Sequence, residues 1–105
     1  MKFSQKFLLR GCQNSSTGVK KVILEELSSP GCHDCKIFEE FWHSVEHQFP
    51  NVQYKNINLV SPEGMEMVSK YMILASPGIV INGELFSTGG VNQKKFINKI
   101  KELSQ

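Results

Sequence analysis

The sequence lacks the long apolar segment that a membrane-spanning helix requires. Such a span needs about 18 apolar residues in a row, and the longest apolar stretches here, such as Met72 to Ala75, are far shorter. The chain also lacks an excess of charge of one sign, because 12 basic side chains face 10 acidic ones. That balance gives no reason to expect binding to nucleic acid. We therefore expect neither a membrane span nor a nucleic-acid partner.

Cysteine is scarce, and its odd count of three makes a structural disulfide framework a poor explanation. The first residues, MKFSQKFLLRGC, have no apolar centre of about 7 to 15 residues, and Arg10 comes just before Gly11 and Cys12. These features argue against a secretory leader, so we expect a cytoplasmic location. The polar stretch after Cys12 favours an incidental exposed thiol over a role in disulfide chemistry.

The length of 105 residues suits one domain that can fold without metal or disulfide staples. We predict a single domain over residues 1–105, in which 1–20 form an extension and 21–103 the core. The extension is predicted to contain a short helix from Phe3 to Arg10, followed by a polar loop. We expect a monomer.

Hydrophobic periodicity predicts two strands with a helix between them in the first half of the core. Lys21 to Leu27 and Val52 to Leu59 are short β-rich runs. Between them, apolar residues recur every three or four positions and predict an amphipathic helix from Cys32 to Gln48, ended by Pro50. Its apolar positions are Phe38, Phe41, Trp42, Val45 and Phe49, and those expected on the opposite side are Glu39, Glu40, His43 and Glu46.

The second half of the core predicts a helix, a hairpin and a final helix. Ser61 can cap a helix that has Pro62 in its first turn, and Asn82-Gly83 between GIVI and ELFS is a strong hairpin signal. The full order is β, α, β, α, β, β, α, which gives a parallel strand pair and an antiparallel hairpin in one sheet. The buried stripe of the second helix is predicted at Met65, Val68 and Met72, and the last helix is predicted to be capped by Asn92 and to bury Phe96, Ile100 and Leu103.

Cys32 and Cys35 lie three residues apart where the first helix is predicted to begin. This spacing on a helical turn brings two sulfurs close enough to bond, and free amides and the positive dipole end at a helix N-terminus favour a thiolate. Such surroundings lower the pKa of a thiol from about 8.5 to about 3.5–7.5. The pair therefore favours redox chemistry, with metal binding as the main alternative.

Three motifs make residues 21–103 resemble the thioredoxin fold, and most closely the small glutaredoxin-like thioredoxins. The motifs are Cys32-His33-Asp34-Cys35 after the first strand, Ser76-Pro77 before the hairpin and Gly89-Gly90 after it. The resemblance implies an α/β, thioredoxin-like fold, with helices flanking a central mixed sheet. It also implies a thiol-disulfide oxidoreductase that acts on protein disulfides through a redox-active disulfide and needs no other cofactor.

The resemblance also implies roles for the residues that carry it. Cys32, the outer cysteine, would attack the target disulfide, and Cys35 would then resolve the mixed disulfide. Glu26 lies six residues before Cys32, where thioredoxins carry a buried acid, and would take the Cys35 proton through a water. Glu25 lies on the opposite face of the strand and cannot share this role. The alternative for Glu26 is an exposed position at a strand end.

Substrate-binding roles are implied for the residues around the cysteines. His33 and Asp34 have opposite effects on a Cys32 thiolate. The Ser76-Pro77 bond is predicted to be cis, which would leave the Ser76 backbone free to pair with an extended substrate. Gly89 and Gly90 are similar to the glutaredoxin turn that helps to hold glutathione.

The sequence leaves open the identity of the reductant and several alternative functions. The acidic Asp34 should repel glutathione, so protein disulfides or a dedicated partner are favoured over glutathione, and the reductant is either an unidentified reductase or glutathione. A zinc site could combine the cysteine pair with histidines, and an iron-sulfur cluster could be shared between two chains. A non-catalytic adaptor is a further class, because fold does not settle function. The histidines available for zinc are His33, His43 and His47.

Overall fold

The computed structural model describes residues 19–105, which form a four-stranded sheet and three α-helices in the predicted order. The predicted helix at Phe3 to Arg10 and Cys12 lie outside the described residues. Within those described, no helix is long and apolar enough to cross a membrane. The elements are β1 (Val22–Ser28), α1 (His33–Val45), a 3-10 turn (Glu46–Gln48), β2 (Val52–Asn58), α2 (Pro62–Tyr71), β3 (Gly78–Ile81), β4 (Glu84–Thr88) and α3 (Gln93–Ser104).

The sheet has the strand order β2-β1-β3-β4, with β1 at its interior. β1 pairs with β2 in parallel and with β3 antiparallel, and β3 pairs antiparallel with β4. The predicted hairpin turn has Asn82 and Gly83 at φ values of 51° and 80°, which are the positive values that such a tight turn requires. The predicted mixed sheet is thereby confirmed.

The two faces of the sheet carry two separate hydrophobic clusters. The larger one lies under α1 and α3, where the rings of Phe38 and Phe96 meet edge to face at 5.3 Å. The smaller one lies under α2 and contains Leu27, Ile57 and Val80. Because β1 contributes to both, its alternating side chains point either to the aromatic core or to the aliphatic one.

The buried side of α2 was predicted correctly at Val68 but wrongly at Met65 and Met72. Met65 and Met72 are 62% and 74% exposed, while Met67 and Val68 pack on the smaller cluster. The reason is Gly64, which is buried so closely against the carbonyl of Asn58 that a Cβ there would clash with it. The stripe therefore begins at Gly64, one residue earlier than the methionine pattern indicates.

The termini of the helices depend on side-chain caps. Ser61 accepts a hydrogen bond from the Gly64 amide at 3.0 Å, and Asn92 accepts one from the Lys95 amide at 2.9 Å, as predicted. α1 ends at Val45 instead of Gln48, and its last three predicted residues form the 3-10 turn. These caps satisfy backbone amides that the helices leave without partners.

Candidate active site

Cys32 and Cys35 form a disulfide at the N-terminus of α1, directly after the carboxyl end of β1. Their Cα atoms are 5.2 Å apart. Gly31, with φ of 75°, turns the chain from the loop into the helix. Cys35 is only 3% exposed, whereas Cys32 is partly exposed. The two sulfurs of one bond therefore differ in their access to a partner.

The sulfur of Cys32 accepts hydrogen bonds from two donors. The backbone amide of Cys35 donates at 3.0 Å, and the hydroxyl of Ser76 donates at 3.2 Å. The Ser29 hydroxyl lies 3.3 Å from that of Ser76 and extends the chain of hydroxyls. Donors aimed at a sulfur favour its charged form, so these surroundings suit a thiolate at Cys32.

The loop before β3 brings Ser76 to the disulfide. The peptide bond between Ser76 and Pro77 is cis. Gly89, with φ of 77°, donates its amide to the Pro77 carbonyl at 3.0 Å, which places the glycine turn against this loop. Gly90 and Asp34 line a cavity of about 140 Å³.

An open cavity of about 420 Å³ lies beside the disulfide. It is lined by both cysteines, by His33 and by Glu39, among others. His33 and Asp34 are exposed. The structure thus places His33 and Asp34 beside two neighbouring cavities at the start of α1.

Glu26 is completely buried on the face of β1 that carries the aromatic core. The Tyr54 hydroxyl donates to its Oε1 at 2.5 Å, and the Asn56 amide donates to the same atom at 3.3 Å. Its Oε2 has no hydrogen-bond partner within residues 19–105. Burial is the main reason why the pKa of Glu26 is raised to about 8, and the nearby Glu39 raises it further. The exposed alternative for this residue is therefore wrong.

The Asn56 side chain links Glu26 to a second carboxylate. Its Nδ2 lies 3.2 Å from Glu39 Oε2, and its Oδ1 accepts from the Ser28 hydroxyl at 2.8 Å. Glu39 was expected on the solvent side of α1, but it is half-buried beside the sheet. Burial, followed by the hydrogen bond to Glu26, raises the pKa of Tyr54.

Sequence reasoning missed four polar residues of the site. Tyr54 and Asn56 alternate along β2, and Asn56 is the register partner of Glu26 across the parallel pair, so strand pairing could have found them. Glu39 is one helical turn after Cys35, a spacing that places both on one side of α1. Ser29 carries no comparable signal in the sequence, because it lies in the loop.

The histidines considered for a zinc site do not converge on the cysteines. Within residues 19–105, no three side chains among His, Cys, Asp and Glu are grouped so that they could hold a metal ion. His43 pairs instead with Glu46 of the following turn at 2.9 Å. The described site therefore offers its two sulfurs without further metal ligands.

Comparison with known proteins places this site in a family. Residues 19–102 match the family described as a thioredoxin domain. A thioredoxin from Methanocaldococcus jannaschii is 29% identical over 85 residues, which cover 80% of this chain and 98% of that protein.

Solved structures share the fold at low sequence identity. The thioredoxin of Fasciola hepatica matches with a TM-score of 0.65 at 18% identity, over 83% of this chain and 85% of that one. A chain from a complex of ferredoxin:thioredoxin reductase with thioredoxin f2 matches with a TM-score of 0.63 at 10% identity, over 81% and 79%. With its disulfide at a helix N-terminus, the chain belongs to the thioredoxin domain family and is a thiol-disulfide oxidoreductase.

Proposed function

We propose that this protein reduces disulfides of other proteins, with Cys32 as the attacking sulfur and Cys35 as the resolving one. The observation that supports this assignment is the asymmetry of the disulfide. Cys32 is partly exposed and receives two hydrogen bonds, whereas Cys35 is buried. An attacking thiolate needs access and stabilisation of its charge, and only Cys32 has both.

The first step begins from the reduced dithiol. The Cys32 thiolate attacks one sulfur of the target disulfide, a Cys32–target bond forms, and the other target sulfur leaves as a thiolate. The Cys35 amide and the Ser76 hydroxyl, which contact the Cys32 sulfur, stabilise the attacking thiolate. Solvent protonates the departing target sulfur.

The second step releases the target. Cys35 loses its proton and attacks the Cys32 sulfur, the Cys32–target bond breaks, and the Cys32–Cys35 disulfide forms again. The target leaves with both of its sulfurs reduced, and the protein has given up two electrons. We assign Glu26 as the base that takes the Cys35 proton through a water, because its pKa of about 8 is close to that of an ordinary thiol.

The surface around Ser76 supports an extended protein substrate. Leu74, two residues before Ser76, is 90% exposed, and the groove beside it includes Leu59, Ile73 and Ala75. An extended segment could pair with the backbone of Ser76 while an apolar side chain enters this groove. His33, Asp34 and Gly90 line the two cavities at the start of α1, Gly89 binds the Pro77 carbonyl, and we propose that these four residues contact the substrate.

The electrons that restore the dithiol are proposed to come from a reductase. The similar thioredoxin f2 is in complex with a ferredoxin:thioredoxin reductase, which makes a protein reductant a reasonable expectation here. Glutathione is the alternative, and the exposed Asp34 beside the site disfavours this anionic peptide. A cytoplasmic location and the absence of a further cofactor stay predictions.

Insulin reduction tests the proposed function. The protein should accelerate the reduction of insulin by dithiothreitol at catalytic amounts, and Cys32→Ser should remove this activity. Replacing dithiothreitol by glutathione should lower turnover at least tenfold. No acceleration with dithiothreitol would reject the proposal, and equal turnover with glutathione would favour the glutaredoxin-type alternative.

A further inference from the structure

The feature that the reaction scheme leaves unused is Glu39, the second carboxylate behind the disulfide. It is half-buried and lines the cavity that also contains both cysteines. The next residue, Glu40, is exposed and has no hydrogen bond to Asn56. Glu39 therefore contacts the site, whereas Glu40, its neighbour in the sequence, does not.

The orientation of Asn56 is what joins the two carboxylates. Its Oδ1 accepts from the Ser28 hydroxyl at 2.8 Å, so its Nδ2 is directed towards the two carboxyl groups. That nitrogen lies 3.3 Å from Glu26 Oε1 and 3.2 Å from Glu39 Oε2. Two acceptors on one amide nitrogen are close neighbours, and a negative charge on one disfavours a negative charge on the other.

We propose that Glu39 is a positioning residue of the resolving step, whose carboxylate, held beside Glu26 by the Asn56 amide, sets the pH at which Glu26 exchanges a proton with Cys35. This inference rests on the proposed function, in which Glu26 is the base. Without Glu39, a Glu26 that is held only by Tyr54 and Asn56 would ionise at lower pH. It would then be a weaker base for a thiol.

The proton movement balances in both directions of the reaction. When Cys35 attacks the mixed disulfide, its proton passes through a water to Glu26, and the sulfur uses its electron pair for the new bond. When a reductase thiolate later attacks Cys32, the Cys35–Cys32 bond breaks and Cys35 leaves as a thiolate, which regains the proton from Glu26. A proton affinity near that of a thiol serves both directions.

Within residues 19–105, the other groups around Glu26 do not provide a comparable negative charge. Lys55 points away and pairs with Glu63, and Ile79 of β3, the register partner of Glu26, is apolar. The α3 residues Phe96 and Ile100, which pack on this core, are also apolar. Among the described residues, the remaining titratable groups that face the network or its cavity are Tyr54 on β2, Cys32 at the cap of α1, and His33, Cys35, Lys36 and His43 on α1.

The test compares Glu39→Gln with Glu40→Gln, a matched loss of one charge at adjacent positions. The carboxyl of Glu26 is titrated by carbon NMR in the full-length protein. In parallel, the rate at which Cys35 resolves a mixed disulfide between Cys32 and a thionitrobenzoate label is followed against pH. Glu39→Gln should move both midpoints to lower pH by about one unit, and Glu40→Gln should leave both within about 0.2 unit of wild type.

Each outcome decides a different claim. If Glu39→Gln gives the same midpoints as Glu40→Gln, the role of Glu39 is wrong. If Glu26→Gln resolves the mixed disulfide at the wild-type rate and with the wild-type pH profile, the role of Glu26 itself fails. Glu39→Asp keeps the charge and should stay nearer to wild type than Glu39→Gln in both readouts, which separates the effect of charge from that of a disturbed fold.

Discussion

The two ends of the Cys32–Cys35 disulfide lie in contrasting surroundings. At the outer end, Cys32 is partly exposed and its sulfur accepts from an amide and a hydroxyl. At the inner end, Cys35 is 3% exposed and lies one helical turn from Glu39, whose partner Asn56 also binds Glu26. One end offers hydrogen-bond donors, and the other offers carboxylates.

The difference shows how one helix terminus can prepare two cysteine thiols for two steps, the attack on the target disulfide and the resolution of the mixed disulfide. Donors stabilise a sulfur that must carry negative charge before it reacts. A buried carboxylate of raised pKa accepts a proton from a sulfur that becomes charged only at the moment of attack. Variants that alter one end at a time separate the two steps.

The largest effect should come from removing either sulfur. Cys35→Ser should capture a target protein as a lasting mixed disulfide, because Cys32 can attack while the resolving sulfur of Cys35 is missing. Cys32→Ser should lose nearly all reaction with target disulfides, since Cys35 is buried. The measurement is a non-reducing gel of each variant after incubation with cell extract.

Adding dithiothreitol to the trapped sample serves as the control and should release the target. Equal trapping by both variants, or none by either, would contradict the assignment of roles. A metal site predicts that both variants lose metal and that neither traps a protein. If Cys35→Ser retained turnover when glutathione was supplied, the reaction would be a glutathione-dependent one with a single cysteine.

The buried carboxyl of Glu26, at the inner end of the disulfide, should also control how the stability of the protein depends on pH. The pKa of Glu26 is raised from 4.5 to about 8 in the folded protein, so between these values the unfolded chain releases a proton that the folded protein keeps. Its contribution is full below pH 4.5 and is lost as pH rises towards 8, by an amount on the order of 4 kcal/mol. Glu26→Gln cannot ionise and should lose this slope.

Urea unfolding at several pH values measures the difference between Glu26→Gln and wild type. The variant should gain stability relative to wild type as pH rises from about 4.5 to about 8. The two proteins share every other ionisable residue, so the effects of those residues cancel in the difference. A difference that stayed constant over this range would show that the carboxyl of Glu26 titrates normally.

The same contrast explains how much of the site could be predicted from the sequence. The strands, the helices, the hairpin turn and the cysteine pair follow from local patterns, because alternation, caps and short motifs depend on nearby residues. These features depend on one element at a time. The burial of Glu26 was implied by the resemblance and left open against an exposed strand end, and the structure places this residue on the same face of β1 as buried Leu24.

The side-chain contacts between different helices, strands and loops could not be predicted from the sequence. The hydrogen bond from Ser76 to Cys32 joins residues 44 positions apart, and those of Asn56 to Glu26 and Glu39 span 30 and 17 positions. Helical periodicity assigned Glu39 to solvent because it takes no account of polar partners on the sheet. The error at Met65 has a similar origin, since the close approach of Gly64 to Asn58 sets the buried side of α2.

At the outer end, removing the Ser76 hydroxyl should destabilise the thiolate form of Cys32 relative to its thiol form. A hydrogen bond to a charged group contributes about 1.5 to 3 kcal/mol, so Ser76→Ala should raise the midpoint pH of Cys32 alkylation by about one to two units. Ser76→Thr retains the hydroxyl and is the matched control. Iodoacetamide reactivity against pH, measured in a Cys35→Ser background, gives the midpoint. The same midpoint in Ser76→Ala and Ser76→Thr would show that the contact does not support the thiolate.

The smallest effect should come from Ser29, whose hydroxyl reaches the sulfur only through Ser76 at 3.3 Å. A hydrogen bond to a donor polarises that donor and strengthens its next bond by about 10 to 30%, so Ser29→Ala should raise the alkylation midpoint by only about 0.1 to 0.7 unit. In a Ser76→Ala background the same change should have no effect, because the hydroxyl that transmits it is absent. An equal shift in both backgrounds would mean that Ser29 acts on Cys32 independently of Ser76.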